Sequence, residues 1–490
     1  MADDTATGNA PAQPSIKAWW SWRLAYNLIV ISLAMVLYGY DNAFTSPLVS
    51  LPLFVAKYQS VKNKGLTAFT ADELDLLICV PLIGAVLGAV AGVPLQRWLG
   101  RRKTMMLAYA AACVPGSFLQ LFAPNMGALV VGRFWNGVGI SVLTSVVPLF
   151  LAELVPAHVR GRTTGLATAG SGASSVVATV VVWATSKLAD KRQYQIPLAI
   201  QAALAAFLLI LSWLLTESPS WLVSKGRLED ARSTLVKLRG NENVEYELQS
   251  IASVLVAAAE ADAAKSVVRF KEILTRKNWA RTFMASSYLP ASQVGGQTLV
   301  VTYSTVLFVQ AGVSNVFLMT ILVFLLQFVG NSVGPYLADR LGRRILALGG
   351  IGLLVILDFS AGGLACAGLT SKPQLLGLAA LSCIFAFVNA ASFQCLAFIL
   401  PTEIPDPTLR EPTMTWALFW SYATAIITTF ATPQIMNSDA PETARRTLEE
   451  IDDMYRSGIP PRKWGRKPRT EGNVEMALRV KDIADTEHGE

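Results

Sequence analysis

The sequence predicts an all-α membrane protein, and its composition and the spacing of its apolar runs both favour that class. Hydrophobic residues make up 53% of the 490 residues, charged residues only 15%, and the mean hydropathy is +0.44. A water-soluble chain carries about 25% charged residues. The charges fall in short clusters between long apolar runs, as in a chain that crosses a lipid bilayer many times.

Eleven apolar stretches are long enough to cross a bilayer as helices, since a crossing takes about 20 residues at about 1.5 Å each. We call them spans 1 to 11, at residues 24–48, 74–95, 104–122, 126–152, 164–186, 195–215, 281–310, 314–337, 345–367, 374–400 and 413–436. The polar segment 1–23 precedes them, and we expect it to be a disordered tail, with span 1 acting as the membrane signal.

Basic residues are concentrated in the connections after spans 2, 4, 8 and 10. By the positive-inside rule these connections and the N-terminus face the cytoplasm. The formal net charge of +7 is therefore interpreted as a determinant of topology, and no nucleic-acid partner is expected.

Two motifs occur twice, which predicts two repeated halves. Gly-Arg-Arg follows span 2 at 100–102 and span 8 at 342–344. At the ends of spans 4 and 10, a glutamate is followed by an arginine at the same sequence separation. The pairs are Glu153 with Arg160 and Glu403 with Arg410.

The repeat divides the chain into an N-terminal half (24–215), a cytoplasmic linker (216–280), a C-terminal half (281–436) and a tail (437–490). The linker combines helical periodicity with mixed charge, which predicts amphipathic helices on the membrane surface. For its second part, a solvated linker without such helices is an equal alternative.

Two charged residues lie deep inside apolar spans, Asp41 in span 1 and Arg133 in span 4. A charge at that depth costs about 3 kcal/mol, so each should face the protein interior or a partner. Both lie about seven residues from the outer end of their spans, so the two side chains can pair. Burial favours a protonated carboxyl group and a nearby cation favours the ionised form, so such a pair can take up and release a proton. A permanent structural ion pair is the alternative.

Span 7 carries a cluster of amides and hydroxyls near the middle of the membrane, where transporters bind polar substrates. Amides both donate and accept hydrogen bonds, which suits a ligand with many hydroxyl groups. For each residue taken singly, a hydrogen bond between helices explains the side chain equally well. The cluster consists of Gln293, Gln297, Thr298, Thr302 and Tyr303.

The stretch 131–161, VGRFWNGVGISVLTSVVPLFLAELVPAHVRG, resembles the fourth span of the sugar porters in the major facilitator superfamily. Three further segments resemble the fungal alpha-glucoside (maltose-type) permeases: the sequence of span 7, Glu-Ile-Pro at 403–405, and the tail PETARRTLEEIDDMYRSGIPPRKW. This resemblance implies the major facilitator fold, with two pseudo-repeated six-helix halves that move about a midplane sugar site.

The resemblance also implies roles for particular residues. Asp41 and Arg133 would couple transport to protons, with the proton as coupling ion and no other cofactor. Thr168, Gln327 and Phe398 would join Gln293, Gln297, Thr298 and Tyr303 around the substrate, although these three replace the family's Gln, Asn and Trp. A cytoplasmic gate of ion pairs would comprise Arg101, Glu153, Arg160, Asp339, Arg343, Glu403 and Arg410. As an alternative to a gate, the arginines act only as positive charges that fix the orientation of the spans in the membrane.

One expected element is missing from the sequence. In the resembled family a twelfth span separates the Thr-Pro of span 11 from the Pro-Glu-Thr tail, whereas here only QIMNSDA intervenes between Pro433 and Pro441. Seven residues cannot cross a bilayer as a helix. We interpret this as an exon lost from the gene sequence, with a natural truncation as the alternative.

No catalytic residues, metal site or phosphate-binding loop are predicted, so the sequence argues against an enzyme. We expect a monomeric, multi-pass protein of a fungal plasma membrane, with a sugar and the lipid bilayer as its partners. The predicted function is proton symport of an oligosaccharide such as an alpha-glucoside. An efflux carrier for a secondary metabolite and a non-transporting sugar sensor are the alternatives.

Overall fold

The computed structural model describes residues 21–59, 69–155, 160–240, 244–249, 251–253, 272–276, 278–310, 315–366, 372–397, 400, 404–405 and 409–438. Within these ranges the regular secondary structure is entirely helical. Most of the predicted N-terminal tail, part of the linker and the segment after span 11 lie outside the described residues. The prediction that no twelfth span follows residue 438 therefore stays a prediction.

Spans 1 to 6 form six long helices in the N-terminal half. They are Trp22–Val49, Ala71–Leu99, Arg101–Leu121, Met126–Leu154, Arg160–Ser186 and Arg192–Ser212. A π-helical turn, Tyr109–Cys113, interrupts the third of them. Short helices Pro52–Tyr58, Pro219–Ser224 and Leu228–Arg239 lie outside the spans.

The C-terminal half contains spans 8 to 11 as the helices Val316–Leu341, Arg343–Cys366, Lys372–Asn389 and Arg410–Ser438, and span 10 continues through a π-helical turn at Ala390–Gln394. Nine of the helices in the described ranges are long and apolar enough to cross a membrane, and they correspond to spans 1 to 6 and 8 to 10. The protein is thus a multi-pass membrane protein.

Span 7 differs from the single helix that its apolar length suggests. It consists of Trp279–Ser286, Tyr288–Ser292, a π-helical segment Gln293–Thr302 and Ser304–Gln310. Gly296 has φ of +90°, a conformation that glycine adopts without steric cost, so the Gly-Gly pair at 295–296 creates the bend. Breaks of this kind are tolerated at membrane depth where the backbone is buried in protein or lines a cavity.

The repeated Gly-Arg-Arg motif has a structural cause. Gly100 and Gly342 have φ of +92° and +83°, and each ends one span just before the arginine that begins the next. Only glycine enters this region freely, so the same tight connection recurs in both halves.

The same close packing of helices also occurs in both halves. In span 2, a Cβ added at Gly84 or Gly88 would lie 2.3 Å from a backbone oxygen of span 4. In span 8, a Cβ at Gly330 or Gly334 would lie within 2.8 Å of a backbone oxygen of span 10. Small residues let helix backbones approach closely in membranes, where dispersion contacts drive association.

The predicted outer ends of the two halves pack together in one hydrophobic cluster. From the N-terminal half it includes Phe44 and Leu77, and from the C-terminal half Tyr303, Phe308 and Phe324. All five side chains are at most 5% exposed. Hydrophobic contacts therefore join the two halves at their predicted outer ends.

The predicted inner ends form separate clusters among the described residues. One contains Leu24, Met105 and Leu154 and belongs to the N-terminal half. Another contains Ala338 and Leu396 and belongs to the C-terminal half. Spans 5 and 8 still touch, since a Cβ at Gly172 would lie 3.0 Å from the ring of Phe328. In the described part of the chain, the hydrophobic contact between the halves at their predicted outer ends thus has no equal counterpart at their predicted inner ends.

The described parts of spans 1 to 10, and span 11 up to Thr429, belong to one compact unit, residues 1–429. The second unit spans residues 430–490, and its described part, 430–438, is helical.

We predict that Gly88→Ala destabilises the protein by about 1–3 kcal/mol, because the added methyl group would overlap the backbone oxygen of Val138. The measurement is the thermal unfolding midpoint of the purified protein in detergent. Gly352→Ala is the control, since nothing lies within 4 Å of a Cβ at that position. Equal midpoints for the two variants would show that spans 2 and 4 do not pack this closely.

Candidate functional site

The carboxylate of Asp41 is the centre of the polar contacts in the N-terminal half. Its Oδ1 accepts hydrogen bonds from Arg133 Nη1 at 3.2 Å, Asn136 Nδ2 at 2.7 Å and Gln201 Nε2 at 2.5 Å. The donors come from spans 4 and 6, so three spans converge on one oxygen. The side chains of Asp41 and Arg133 are 13% and 9% exposed.

Close helix contacts hold Asp41 in this position. A Cβ at Gly39 would lie 2.0 Å from the backbone oxygen of Ser171, so span 1 crosses span 5 almost in backbone contact. Ser174 and Ser175 of span 5 donate hydrogen bonds to the backbone oxygens of Val36 and Gly39. These contacts hold the part of span 1 around Val36 and Gly39 against span 5.

Arg133 has a second favourable contact, since its guanidinium lies 5.6 Å from the centre of the Phe44 ring. A cation near an aromatic face gains about 0.5–2 kcal/mol, more when desolvated. The ion pair and this ring together compensate part of the cost of burying the charge.

The sequence prediction included Asp41 and Arg133 but missed Asn136 and Gln201. Both are at most 1% exposed within apolar spans. A buried amide in a membrane helix needs a hydrogen-bond partner. The sequence could therefore have indicated Asn136 and Gln201, because both amides lie at the same depth as the two charges.

The polar residues of span 7 contact spans 10 and 11. Ser292 donates a short hydrogen bond to Gln297 Oε1, and its hydroxyl lies 3.4 Å from Asn389 Oδ1. The Thr298 hydroxyl lies 3.0 Å from that of Thr428 and 3.5 Å from Gln293 Oε1. The bend and these contacts gather amides and hydroxyls on one side of the C-terminal half.

Tyr303 occupies the outer end of this region, where it is fully buried and donates a hydrogen bond of 3.2 Å to the backbone oxygen of Thr429. Gln327 of span 8 donates to Gln394 Oε1 of span 10 at 3.3 Å, and both amides are partly buried. Asn389 and Gln394 were not predicted as site residues. Thr168 is partly buried in span 5, and Phe398 lies outside the described residues.

At the predicted cytoplasmic end of the N-terminal half, Arg101 and Glu153 form a bidentate ion pair. Arg101 Nη2 is 2.7 Å from Glu153 Oε1, and Arg101 Nε is 3.1 Å from Glu153 Oε2. Both residues belong to the N-terminal half, so this pair ties span 3 to span 4 and does not itself connect the halves.

For the other predicted gate residues the structure gives less. Arg343 Nη1 donates to the backbone oxygen of Ala338 at 3.2 Å. Glu403 lies outside the described residues, as do the side chains of Arg160, Asp339 and Arg410.

Glu217 was not predicted, yet it organises the start of span 3. Its Oε1 accepts hydrogen bonds from the backbone N–H groups of Arg101, Arg102 and Ser218 at 2.8–3.1 Å. A Cβ at Gly100 would lie 2.5 Å from its Oε2, which is a second reason for glycine there. Burial raises the pKa of the Glu217 carboxyl, although the three N–H bonds and Arg101 act to lower it.

We predict that Glu217 makes stability depend on pH. A carboxyl group with a raised pKa binds its proton more tightly in the folded state, so stability is greatest at low pH and falls as pH rises from the usual 4.5 through the raised value. Glu217→Gln keeps an acceptor oxygen for the N–H groups but cannot ionise. Its unfolding midpoint should change less than the wild type's as the pH rises above 4.5.

Glu229→Gln is the control for this change, because Glu229 is exposed on the helix Leu228–Arg239. If the wild type and Glu217→Gln lose the same stability over this pH range, the burial of Glu217 has no such effect.

Solved structures with a similar fold include the xylose transporter XylE from E. coli. In its partially occluded inward open conformation it matches with a TM-score of 0.69 at 20% identity, over 85% of this chain and 92% of that chain. XylE is described as a major facilitator superfamily protein. Together with the repeated halves, this match defines the protein as a multi-pass membrane protein of the major facilitator fold.

The sequence comparison identifies the family. The profile of the sugar (and other) transporter family matches residues 27–440, which is most of the chain. The protein therefore belongs to the sugar (and other) transporter family, and it is classed with transporters and not with enzymes.

Proteins of insects and plants are among the relatives that this chain resembles. The facilitated trehalose transporter Tret1 of Drosophila pseudoobscura pseudoobscura is 27% identical over 427 residues, covering 85% of this chain and 47% of that protein. Sugar transport protein 10 of Arabidopsis thaliana is 26% identical over 400 residues, covering 78% of this chain and 76% of that protein. The chain thus spans about half the length of the insect relative.

Proposed function

We propose that the protein is a proton-coupled sugar transporter of the plasma membrane that works by alternating access. The observation that carries the proposal is the buried carboxylate of Asp41, which one cation and two amides hold by a single oxygen. An intramembrane acid of this kind marks an ion or proton pathway.

Coupling follows from the electrostatics of the pair. While Asp41 is ionised, its charge balances that of Arg133 within the buried site. When a proton neutralises the carboxylate, Arg133 loses this partner, and a buried unpaired charge is costly. The protonated site therefore favours a different arrangement of spans 1, 4 and 6, which links proton binding to the choice between outward and inward access.

The substrate would bind between the halves, against the amides and hydroxyls of spans 7, 8 and 10. Gln293, Gln297, Asn389, Gln327 and Gln394 supply both donors and acceptors, which a ligand with many hydroxyl groups requires. We propose an oligosaccharide such as an alpha-glucoside. The trehalose named for the insect relative is a disaccharide, which supports a substrate of that size.

We predict that Asp41→Asn abolishes sugar accumulation against a gradient but preserves sugar exchange between the two sides of the membrane. The amide keeps an acceptor oxygen for the surrounding donors but cannot take up a proton. The measurement is uptake into proteoliposomes with and without an inward proton gradient, with Asp190→Asn in an exposed connection as control. If Asp41→Asn still concentrates the sugar, the proposed coupling is wrong.

We predict that Gln297→Ala raises the KM for sugar about three- to tenfold, as expected for the loss of one hydrogen bond to a neutral ligand. Ser382→Ala in span 10 is the control, because its buried hydroxyl donates to the backbone oxygen of Leu378 on its own helix. The measurement is initial uptake rate against sugar concentration. An unchanged KM in Gln297→Ala would exclude a direct contact between this amide and the substrate.

A further inference from the structure

A small cavity lies on the outer side of the Asp41–Arg133 pair. Its volume is about 10 Å³, and most of its wall is apolar. Three polar side chains also line it, those of Thr45 in span 1, Gln120 in span 3 and Arg133 in span 4. A cavity of about 10–15 Å³ accommodates one water molecule when two to four polar groups surround it.

Two atoms on these side chains, Arg133 Nε and Gln120 Oε1, are buried and have no hydrogen-bond partner among the residues that the structure describes. They are complementary, since the first is an N–H donor and the second a carbonyl acceptor. Leaving such a group unsatisfied costs about 1–3 kcal/mol, and more for a charged group. A polar ligand between them would remove both costs together.

The orientation of the Gln120 amide is set by its surroundings. Its Nε2 donates to the backbone oxygens of Gly116 and Gly132, both at 3.3 Å, and the side chain is fully buried. The amide nitrogen is thus occupied in joining spans 3 and 4, and the oxygen remains as acceptor. Thr45 donates its hydroxyl hydrogen to the backbone oxygen of Asp41 at 3.1 Å, so its oxygen can also accept.

From this geometry we infer that the cavity binds a single water, which accepts from Arg133 Nε–H and donates to Gln120 and Thr45. This water stabilises the Arg133 guanidinium when Asp41 is protonated. The inference rests on the proposed proton coupling. When Asp41 is neutralised, Arg133 loses that partner but keeps the water at its Nε, so the buried guanidinium retains one polar contact. Gln120 and Thr45 are therefore positioning residues that act through the water.

The other charged or titratable groups around Asp41 are few. Among the described residues, span 3 contributes Cys113, span 1 itself contributes Tyr38, and span 4 contributes Arg133. Spans 5 and 6 contribute uncharged polar groups, Ser175 and Gln201. Arg133 is therefore the one cation in this group, and its hydrogen bonding governs how readily Asp41 is neutralised.

The test compares Gln120→Leu and Thr45→Val with the wild type in proteoliposomes. Each variant removes one partner of the water, and Gln120→Leu should require about tenfold more protons for half-maximal uptake, the effect of losing one hydrogen bond to a charged group. Thr45→Val should shift uptake in the same direction by less. Sugar exchange at saturating concentration should not change. Gln96→Leu is the control, since Gln96 is an equally buried glutamine away from the cavity.

Two further measurements keep the outcomes distinct. Gln120→Leu also removes the contacts to Gly116 and Gly132, so if it does not fold, Thr45→Val decides the result, because its helix contact is local. A density map that resolves waters should show one between Arg133 Nε and Gln120 Oε1.

A map without that water, or wild-type proton dependence in the variant that folds, would overturn the inference. If wild-type uptake is itself independent of protons, the proposed coupling fails, while the density map still judges the water site.

Discussion

The burial of one ion pair, Asp41 with Arg133, constrains the whole N-terminal half. Two charges removed from water need both each other and further hydrogen bonds, or the cost exceeds the attraction. Spans 1, 4 and 6 meet at this point, and Asn136 and Gln201 supply the additional donors. Two residues before Asp41, Gly39 lets span 1 cross span 5 almost in backbone contact.

The C-terminal half is built on a different principle. Its central helix is bent at Gly296, and amides and hydroxyls, not charges, gather beside the bend. Neutral groups of this kind can exchange their mutual hydrogen bonds for bonds to a ligand at little net cost. The N-terminal half thus contains a charged pair inside its spans, whereas the C-terminal half contains neutral amides and hydroxyls. The hydrophobic cluster at the predicted outer ends, which includes Phe44 and Tyr303, places the two halves in contact.

At the predicted cytoplasmic end, the two arginines of the first Gly-Arg-Arg motif make different contacts. Arg101 binds Glu153 through its side chain, whereas its backbone N–H, with that of Arg102, binds Glu217. Glu217 thereby satisfies backbone groups at the start of span 3, which a helix cannot satisfy internally. The glycine of the motif serves both the tight connection and the space for this carboxylate. The first part of the linker is therefore attached to the N-terminal half through specific hydrogen bonds.

The sequence by itself determined the fold class, the two repeated halves and the position of most spans, because apolar length and glycine at positive φ depend on local chain properties. It also identified Asp41 and Arg133, since a charge in an apolar helix is visible in one dimension. Only the tertiary structure decided which neutral residues surround them. Asn136 and Gln201 are distant in sequence from Asp41, whereas Asn27, a residue of the same type as Asn136, donates to the backbone oxygen of Arg23 on its own helix. Hydrogen bonding between spans depends on helix rotation and crossing, which no local pattern specifies.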